Sequence, residues 1–303
     1  MASSEGHETL DGLVTESRRA DGNYASLSTQ ELVELMNAED ATVPAAVGAA
    51  AGAIAAALDA IVERLAAGGR LVYAGAGTSG RIAALDAEEC EATFSTPPGQ
   101  VIALVAGADA PSAEAREAAE DDGPAGRRAL EELGVSPADA VVGVSASGRT
   151  PYVLGALEAA AAVGALTVAV VSTEGSPLAQ AADHEVAVVV GPEFVSGSTR
   201  LKAGTAQKLV LNTISTVAMI RLGKTYGDLM VDLRASNEKL ETRARRIVRE
   251  AAGVSDDEAR EALEAADGNA KVAVVALIAE LDADAARSRL EQAGGNIETA
   301  LAP

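Results

Sequence analysis

The 303-residue chain contains no tryptophan, two phenylalanines and four tyrosines. Its core must be aliphatic, and it has no aromatic platform on which successive bases could stack, so single-stranded nucleic acid is not an expected partner. Cysteine occurs once, as Cys90, which excludes an internal disulfide and a cysteine-based metal cluster. Histidine occurs twice, as His7 near the start and His184 in "AADHEVAV". That scarcity speaks against a Ser-His-Asp triad and against a histidine-rich metal site, and leaves proton transfer to carboxylates. The opening MASSEGHETLDG has neither the basic nor the apolar region of a signal peptide. Apolar stretches such as 45–57 are Ala-rich and too short to span a bilayer. We therefore expect a cytoplasmic protein with no membrane partner.

Positive charge is also in short supply. Lys and Arg number 24 against 45 Asp and Glu, for a net charge of −21. Such a surface repels polyphosphates and anionic membranes at long range. An anion bound here must be held by local backbone geometry. What the chain does have is aliphatic residues: 48% is apolar, mostly Ala, Val and Leu. The length suits one large α/β domain and a small second one.

Residues 1–27 read as an irregular arm. Ser28-Thr-Gln-Glu31 is a capping box that opens a short helix to about Ala38. Thr42 and Pro44 start a long Ala-rich helix that stops at Gly68-Gly69. Strand-like runs then follow at Leu71–Ala74, Val101–Ala106, Ala140–Val144, Leu166–Ser172 and Glu185–Val190, with helices between most of them. Continuous apolar strands alternating with helices imply a parallel sheet covered on both faces. Further helices are expected from Arg200 to about Leu222 and from about Ser236 to Glu250. Beyond Gly253, "AREALEAADGNAKVA" and "ARSRLEQAGGNIETA" repeat in register 27 residues apart. Each is a helix, a Gly-Asn turn and a second helix, with Leu263 and Leu290 in the core of a small helical domain. The expected division is an arm and short helix over 1–42, the α/β domain over 43–250 and the helical, ubiquitin-associated-like domain over 251–303.

Two segments carry the chemistry. "LVYAGAGTSGR" places Gly75-x-Gly77-x-x-Gly80 after a strand and before a helix. A dinucleotide site would need an acidic residue about 20 positions on. There the chain has Ser95-Thr-Pro-Pro-Gly99. "DAVVGVSASGRTPYVL" repeats the plan: strand, hydroxyl-rich loop, helix, with Ser147-Gly148-Arg149 matching Ser79-Gly80-Arg81. Ser/Gly loops at helix N-termini offer backbone N–H groups and hydroxyls to a phosphate, even on an acidic molecule, because the donors are local and preorganised. The alternative is that both are ordinary turns with capping serines. A third segment, "VSGSTRLKAGTAQK", also precedes a helix and could close a pocket with Ser198 and Thr199.

Together "NAEDATVPAAV", "GAGTSGR…LDAEEC", "AEDDGPAG", "SASGRTPYV", "GSTRLKAGTAQKLVLNTIS" and "GDLMVDLRASNEKL" resemble the N-acetylmuramic acid 6-phosphate etherases of the sugar-isomerase superfamily, from about residue 13 to the C-terminus. The resemblance implies a five-stranded parallel sheet flanked by helices, a small C-terminal helical domain, a homodimer and no metal or nucleotide cofactor. The reaction implied is removal of the D-lactyl ether from N-acetylmuramic acid 6-phosphate, giving N-acetylglucosamine 6-phosphate and D-lactate. The catalytic acid of the family corresponds to Glu89 and a second carboxylate to Glu120. The phosphate loop corresponds to Ser145-Ala-Ser147-Gly148-Arg149-Thr150, and further sugar contacts to Thr78, Ser79, Gly80, Ser198 and Thr199. Where the family has Pro-Pro after the cysteine, this chain has Glu91-Ala92, and Glu91 would raise the pKa of Glu89 if it faced the same pocket.

Elimination β to a latent aldehyde needs a base at C2 and an acid at the lactyl oxygen, and two carboxylates in different surroundings can divide those roles. Glu89 is expected as the acid and Glu120 as the base, with the reverse division as the alternative. Read without the family, Glu88, Glu89 and Glu91 form an acidic cluster at a helix end, and Glu120-Asp-Asp122 reads as a solvated charge run. Arg149 and Lys202 each either bind phosphate or pair with a surface acid. Two rival functions share this scaffold: an aldose–ketose isomerase, and a sensor that binds phosphosugar without chemistry.

Overall fold

The computed structural model describes residues 13–19, 23–232 and 238–302. His7, most of the N-terminal arm and the expected helix start at Ser236 lie outside them. α1 (Thr29–Asp40) begins on the expected capping box: Ser28 Oγ accepts from Glu31 N, and the Glu31 carboxylate accepts from Ser28 N at 2.7 Å. The Ala-rich segment is not one helix but two, α2 (Val43–Ala49) and α3 (Ala51–Ala66), and the chain over Thr29–Ala49 bends by 58° into α3 at Ala50. Gly48 and Gly52 flank that break, and glycine lowers the cost of interrupting a helix. Thr42 does not cap α2; its hydroxyl donates back to Glu39 O at 2.7 Å. No single described helix is long and apolar enough to cross a membrane.

β1 (Leu71–Gly75), α4 (Gly77–Phe94), β2 (Val101–Val105), α5 (Ala113–Glu120), α6 (Gly123–Leu133), β3 (Ala140–Ser145), α7 (Pro151–Ala162), β4 (Leu166–Val171), α8 (Pro177–Gln180), β5 (His184–Ala187) and α9 (Lys202–Arg221) follow in order. The five strands form one parallel sheet in the order β2-β1-β3-β4-β5. All five fall within a few residues of the apolar runs that announced them; β5 is the shortest, because the chain leaves the sheet after Ala187. One face packs on α7: Val72, Ala74, Val141, Ala169 and Val171 meet Val153, Ala156 and Leu157. α3 covers the other with Ile54, Ala57, Leu58, Ile61 and Leu65, all buried. Each buried Val, Leu or Ile among them contributes roughly 1.5–3 kcal/mol and the alanines less, which is how a core without tryptophan is built.

The order of strands has a functional consequence. The chain leaves β1 toward β2 on one side and returns as β3 on the other, so β1 and β3 flank the switch point where open α/β sheets bind ligands at the carboxyl ends of their strands. Gly75 is level with both Val105 and Val144, so the loops after β1, β2 and β3 open at the same height. At the opposite end Asp139, just before β3, accepts from Arg70 N at 2.8 Å, from the Arg70 guanidinium at 2.8 and 3.1 Å and from Ser136 N at 2.9 Å. Burial alone would raise Asp139, but those hydrogen bonds hold its pKa down to about 2.

By packing, the chain divides into two compact units, one holding residues up to Ala87 and Gly99–Ile214, the other Glu88–Pro98 and Ser215 onward. The second unit contains α10 (Glu238–Ala252), α11 (Asp256–Ala265), α12 (Ala270–Ala279), α13 (Ala283–Gln292) and α14 (Ile297–Leu301). The repeat is visible in its caps: Asn269 and Asn296 each accept, through Oδ1, from a first-turn N–H of the following helix. Leu263 and Leu290 lie in its core, as expected, but Val231, Ala244, Ile247 and Val248 lie there too. The helical unit thus begins well before residue 251.

Candidate active site

Gly75, Gly77 and Gly80 are needed for closeness of packing. A methyl on Gly80 would sit 2.7 Å from Val105 Cγ1 and 2.9 Å from Gly75 O, so α4 starts pressed onto the ends of β1 and β2. Gly77 has φ +51°, a left-handed conformation that side chains disfavour, and a methyl there would lie 2.8 Å from Glu120 Oε1. The carboxylate of Glu120, at the end of α5, therefore rests directly over the first loop. β2 ends at Val105, thirty positions after Gly75, because α4 runs for 18 residues. The wall at that strand end is Val105, Ala106, Gly107 and Ala108, with no acid for a ribose.

The second loop is built from hydroxyls. Ser145 Oγ lies 2.8 Å from Thr150 Oγ1 and accepts from Gly148 N at 3.1 Å, while Ser147 Oγ accepts from Arg149 N at 3.2 Å. Gly148, at φ +65°, turns the chain so that Ser176 Oγ occupies the space of a side chain. α7 then opens with Pro151, which has no N–H, and without a side-chain cap; Val153 N and Leu154 N turn back onto Thr150 O, which leaves Tyr152 N to a ligand.

Both loops face one cavity of about 870 Å³, within the range of small-molecule sites. Of the expected residues, Thr78, Ser79, Ser145, Ser147, Thr150, Thr199 and Glu120 line it. Gly80 and Gly148 are buried behind the loops they shape. Arg149, Ser198 and Glu89 are not among the lining residues. Glu89 is exposed, nine positions beyond Gly80 on α4, in the segment that belongs to the second unit. Neighbouring Cys90 is buried.

Four charged lining residues were not foreseen: Glu16, Arg81, Arg116 and Glu117. Glu16 arrives on the N-terminal arm, which is sewn to the 196–199 loop by Gly197 N donating to Thr15 O at 3.0 Å and the Ser196 hydroxyl donating to Glu16 O at 2.6 Å. Behind that loop, fully buried Glu193 accepts from Lys202 N at 2.9 Å and Ala203 N at 3.0 Å and so caps α9. Lys202 resolves its two readings in favour of an acid: its Nζ bonds Glu39 Oε2 at 2.8 Å, and hydrogen bonds from Arg19 and then Lys202 hold the Glu39 carboxyl below its ordinary pKa. Glu120 is shifted the other way. Partial burial raises its pKa first, Asp121 and Glu117 add to the rise, and Arg81 opposes it. A carboxylate with raised affinity for protons, facing the same cavity as a hydroxyl-lined loop, is equipped to take a proton from a bound molecule. Among the described residues no group of three His, Cys, Asp or Glu side chains forms a metal-binding cluster.

Comparison with known proteins agrees with this architecture. The glucokinase regulatory protein N-terminal SIS domain matches residues 53–161, and the SIS domain matches residues 131–216. A phosphoheptose isomerase from Francisella tularensis shares the fold at 18% identity and TM-score 0.50, over 64% of this chain and all of that one. Fold and site together define a SIS-domain protein. Closer similarity runs along nearly the whole chain to proteins named N-acetylmuramic acid 6-phosphate etherase. That of Streptomyces coelicolor is 54% identical over 90% of this chain and 88% of its own, that of Rubrobacter xylanophilus 56% over 89% and 90%, and that of Mycolicibacterium smegmatis 49% over 91% and 92%. The chain belongs to the N-acetylmuramic acid 6-phosphate etherase family.

Proposed function

We propose that this protein cleaves the D-lactyl ether of N-acetylmuramic acid 6-phosphate, giving N-acetylglucosamine 6-phosphate and D-lactate. One observation carries the reading beyond family membership: the Glu120 carboxylate, its proton affinity raised, lies over Gly77 in the same cavity as the Ser145–Thr150 cradle. The cradle and the N-terminus of α7 bind the C6 phosphate through neutral donors, as an acidic chain requires. With the phosphate fixed there, the open-chain sugar reaches across the cavity toward Glu120. Glu120 removes the C2 proton, made acidic by the C1 aldehyde. The C3–O bond then breaks, lactate leaves with a proton on its ether oxygen, and water adds to C3 of the unsaturated aldehyde while C2 regains a proton. Acid and base each contribute about 10²–10⁴-fold.

Glu89 serves as the acid in this reading. Since it is exposed and does not line the cavity of its own chain, it reaches a site from a second copy of the chain in a homodimer. Mixing two inactive variants, Glu89→Gln and Glu120→Gln, then restores about a quarter of wild-type activity, because half the dimers are mixed and each has one intact site. No recovery would contradict the contribution from a second copy, and wild-type turnover by Glu89→Gln alone would return the acid role to Glu16 or Glu117, the other carboxylates lining the cavity. The reaction itself is tested by incubating purified protein with N-acetylmuramic acid 6-phosphate and assaying D-lactate. Hexosamine phosphate interconversion without lactate would make it an isomerase, and binding without turnover a sensor.

A further inference from the structure

The proposed substrate carries two anions, a phosphate on C6 and a carboxylate on the lactyl group at C3. The hydroxyl-and-amide cradle accounts for one of them. The cavity's cationic lining consists, among the described residues, of Arg81 and Arg116, against Glu16, Glu117 and Glu120. Acids outnumber bases 45 to 24 in this chain, and other arginines of the α5–α6 region are engaged: Arg127 with Glu158 at 2.9 Å and Arg128 with Asp122 at 3.5 Å. The Arg116 side chain forms neither a hydrogen bond nor an ion pair with any described residue, while its backbone N–H donates to Ser112 O at 3.1 Å within the turn. It is kept free in a molecule full of possible partners.

Its position is equally informative. Arg116 stands one turn before Glu120 on α5, so the two share a face. Its backbone is fixed, since a methyl on Gly107 would lie 3.0 Å from Arg116 Cα. Arg81 approaches from α4, with Nη2 3.1 Å from Thr78 Oγ1, and is near enough to Glu120 to affect its protonation. Glu120 thus shares the cavity with two guanidinium groups, one from its own helix and one from α4. When Glu120 meets C2, the next carbon bears the lactyl ether, and its carboxylate lies beside these arginines.

We propose that Arg116, with Arg81 beside it, binds the lactyl carboxylate and so distinguishes the ether substrate from sugar phosphates that lack this group. Guanidinium suits the task because its planar fork matches a carboxylate with two parallel hydrogen bonds. This assignment rests on the etherase reading, so its test separates the two. Binding is measured by calorimetry in the Glu120→Gln background, where turnover is blocked, with N-acetylmuramic acid 6-phosphate and with N-acetylglucosamine 6-phosphate. Adding Arg116→Gln should weaken the first by about 10- to 100-fold, the cost of a charged hydrogen-bonded pair, and leave the second within about twofold. A muramic acid 6-phosphate whose lactyl carboxylate is replaced by carboxamide should bind the arginine-bearing protein poorly and be indifferent to the substitution. Retained affinity for N-acetylglucosamine 6-phosphate also shows that the variant is folded. Equal weakening of both ligands would mean that the arginines hold phosphate, and no change in either would leave them without a ligand; each result overturns the proposal. Failure of the wild-type protein to release lactate would instead refute the etherase reading, while the binding ratio still judges the arginines.

Discussion

β3 is six residues long and has opposite kinds of polar chemistry at its two ends. Before it, Asp139 is held by the Arg70 side chain, two backbone N–H groups and Ser136. A similar arrangement precedes β5, where Asp183 accepts from both Thr167 N and Thr167 Oγ1 of β4. At the other end of β3 stand Ser145, the last residue of the strand, and then Ser147 and Thr150, which bond Ser145 and the turn but still face the cavity. At the amino end the carboxylates are saturated by the chain itself, and their role is stability. At the carboxyl end donors, a carboxylate and an unpaired arginine retain bonding capacity, and their role is binding and chemistry.

Substitutions of the polar side chains at the carboxyl end should therefore change rate without stability, and those at the amino end stability without rate, whereas a backbone glycine under the site couples the two. The largest effect is expected from Glu120→Gln, which should lower kcat by about 10²–10⁴-fold with an unchanged unfolding midpoint, as followed by D-lactate release and denaturant titration. Gly77→Ala comes next. It forces a side chain into a left-handed backbone and against the Glu120 carboxylate, and should cost roughly 1–2 kcal/mol of stability and, by moving Glu120, up to about 10² in kcat. Gly77→Ala would blur the comparison if stability fell and kcat did not.

Asp139→Asn tests the other end. The depressed pKa of Asp139 contributes stability that is fully present above its ordinary value of 3.8 and is lost as pH falls toward about 2. Wild type should exceed the variant by about 2 kcal/mol at neutral pH, and the gap should close across that acid window while kcat stays unchanged. The smallest effect is expected from Glu117→Gln. Removing this neighbouring charge lowers the pKa of Glu120, so the acid limb of kcat/KM, where the base becomes protonated, should move to lower pH.

Much of this arrangement could be read in the sequence, for reasons particular to each element. The strands were legible because a doubly covered parallel strand is a continuous apolar run, as in Val141–Val144. The hydroxyl loop was legible because its residues are contiguous. The bend at Ala50 was not, since a run of alanine looks the same on both sides of it. Glu120, in an acidic run, looked like solvated surface; only family resemblance singled it out. Glu16 and Arg116 gave no local signal at all, because they reach the cavity from the arm and from α5, and only the fold brings them to the strand ends.

The most direct test of the central claim, that Glu120 exchanges a proton with C2 while neutral donors hold the phosphate, is turnover of N-acetylmuramic acid 6-phosphate in deuterium oxide, read by NMR of the product. The expected result is one solvent deuteron at C2 of N-acetylglucosamine 6-phosphate from the wild-type protein and no comparable product from Glu120→Gln. Product with its original hydrogen at C2, or full labelling at an undiminished rate by the variant, would contradict it.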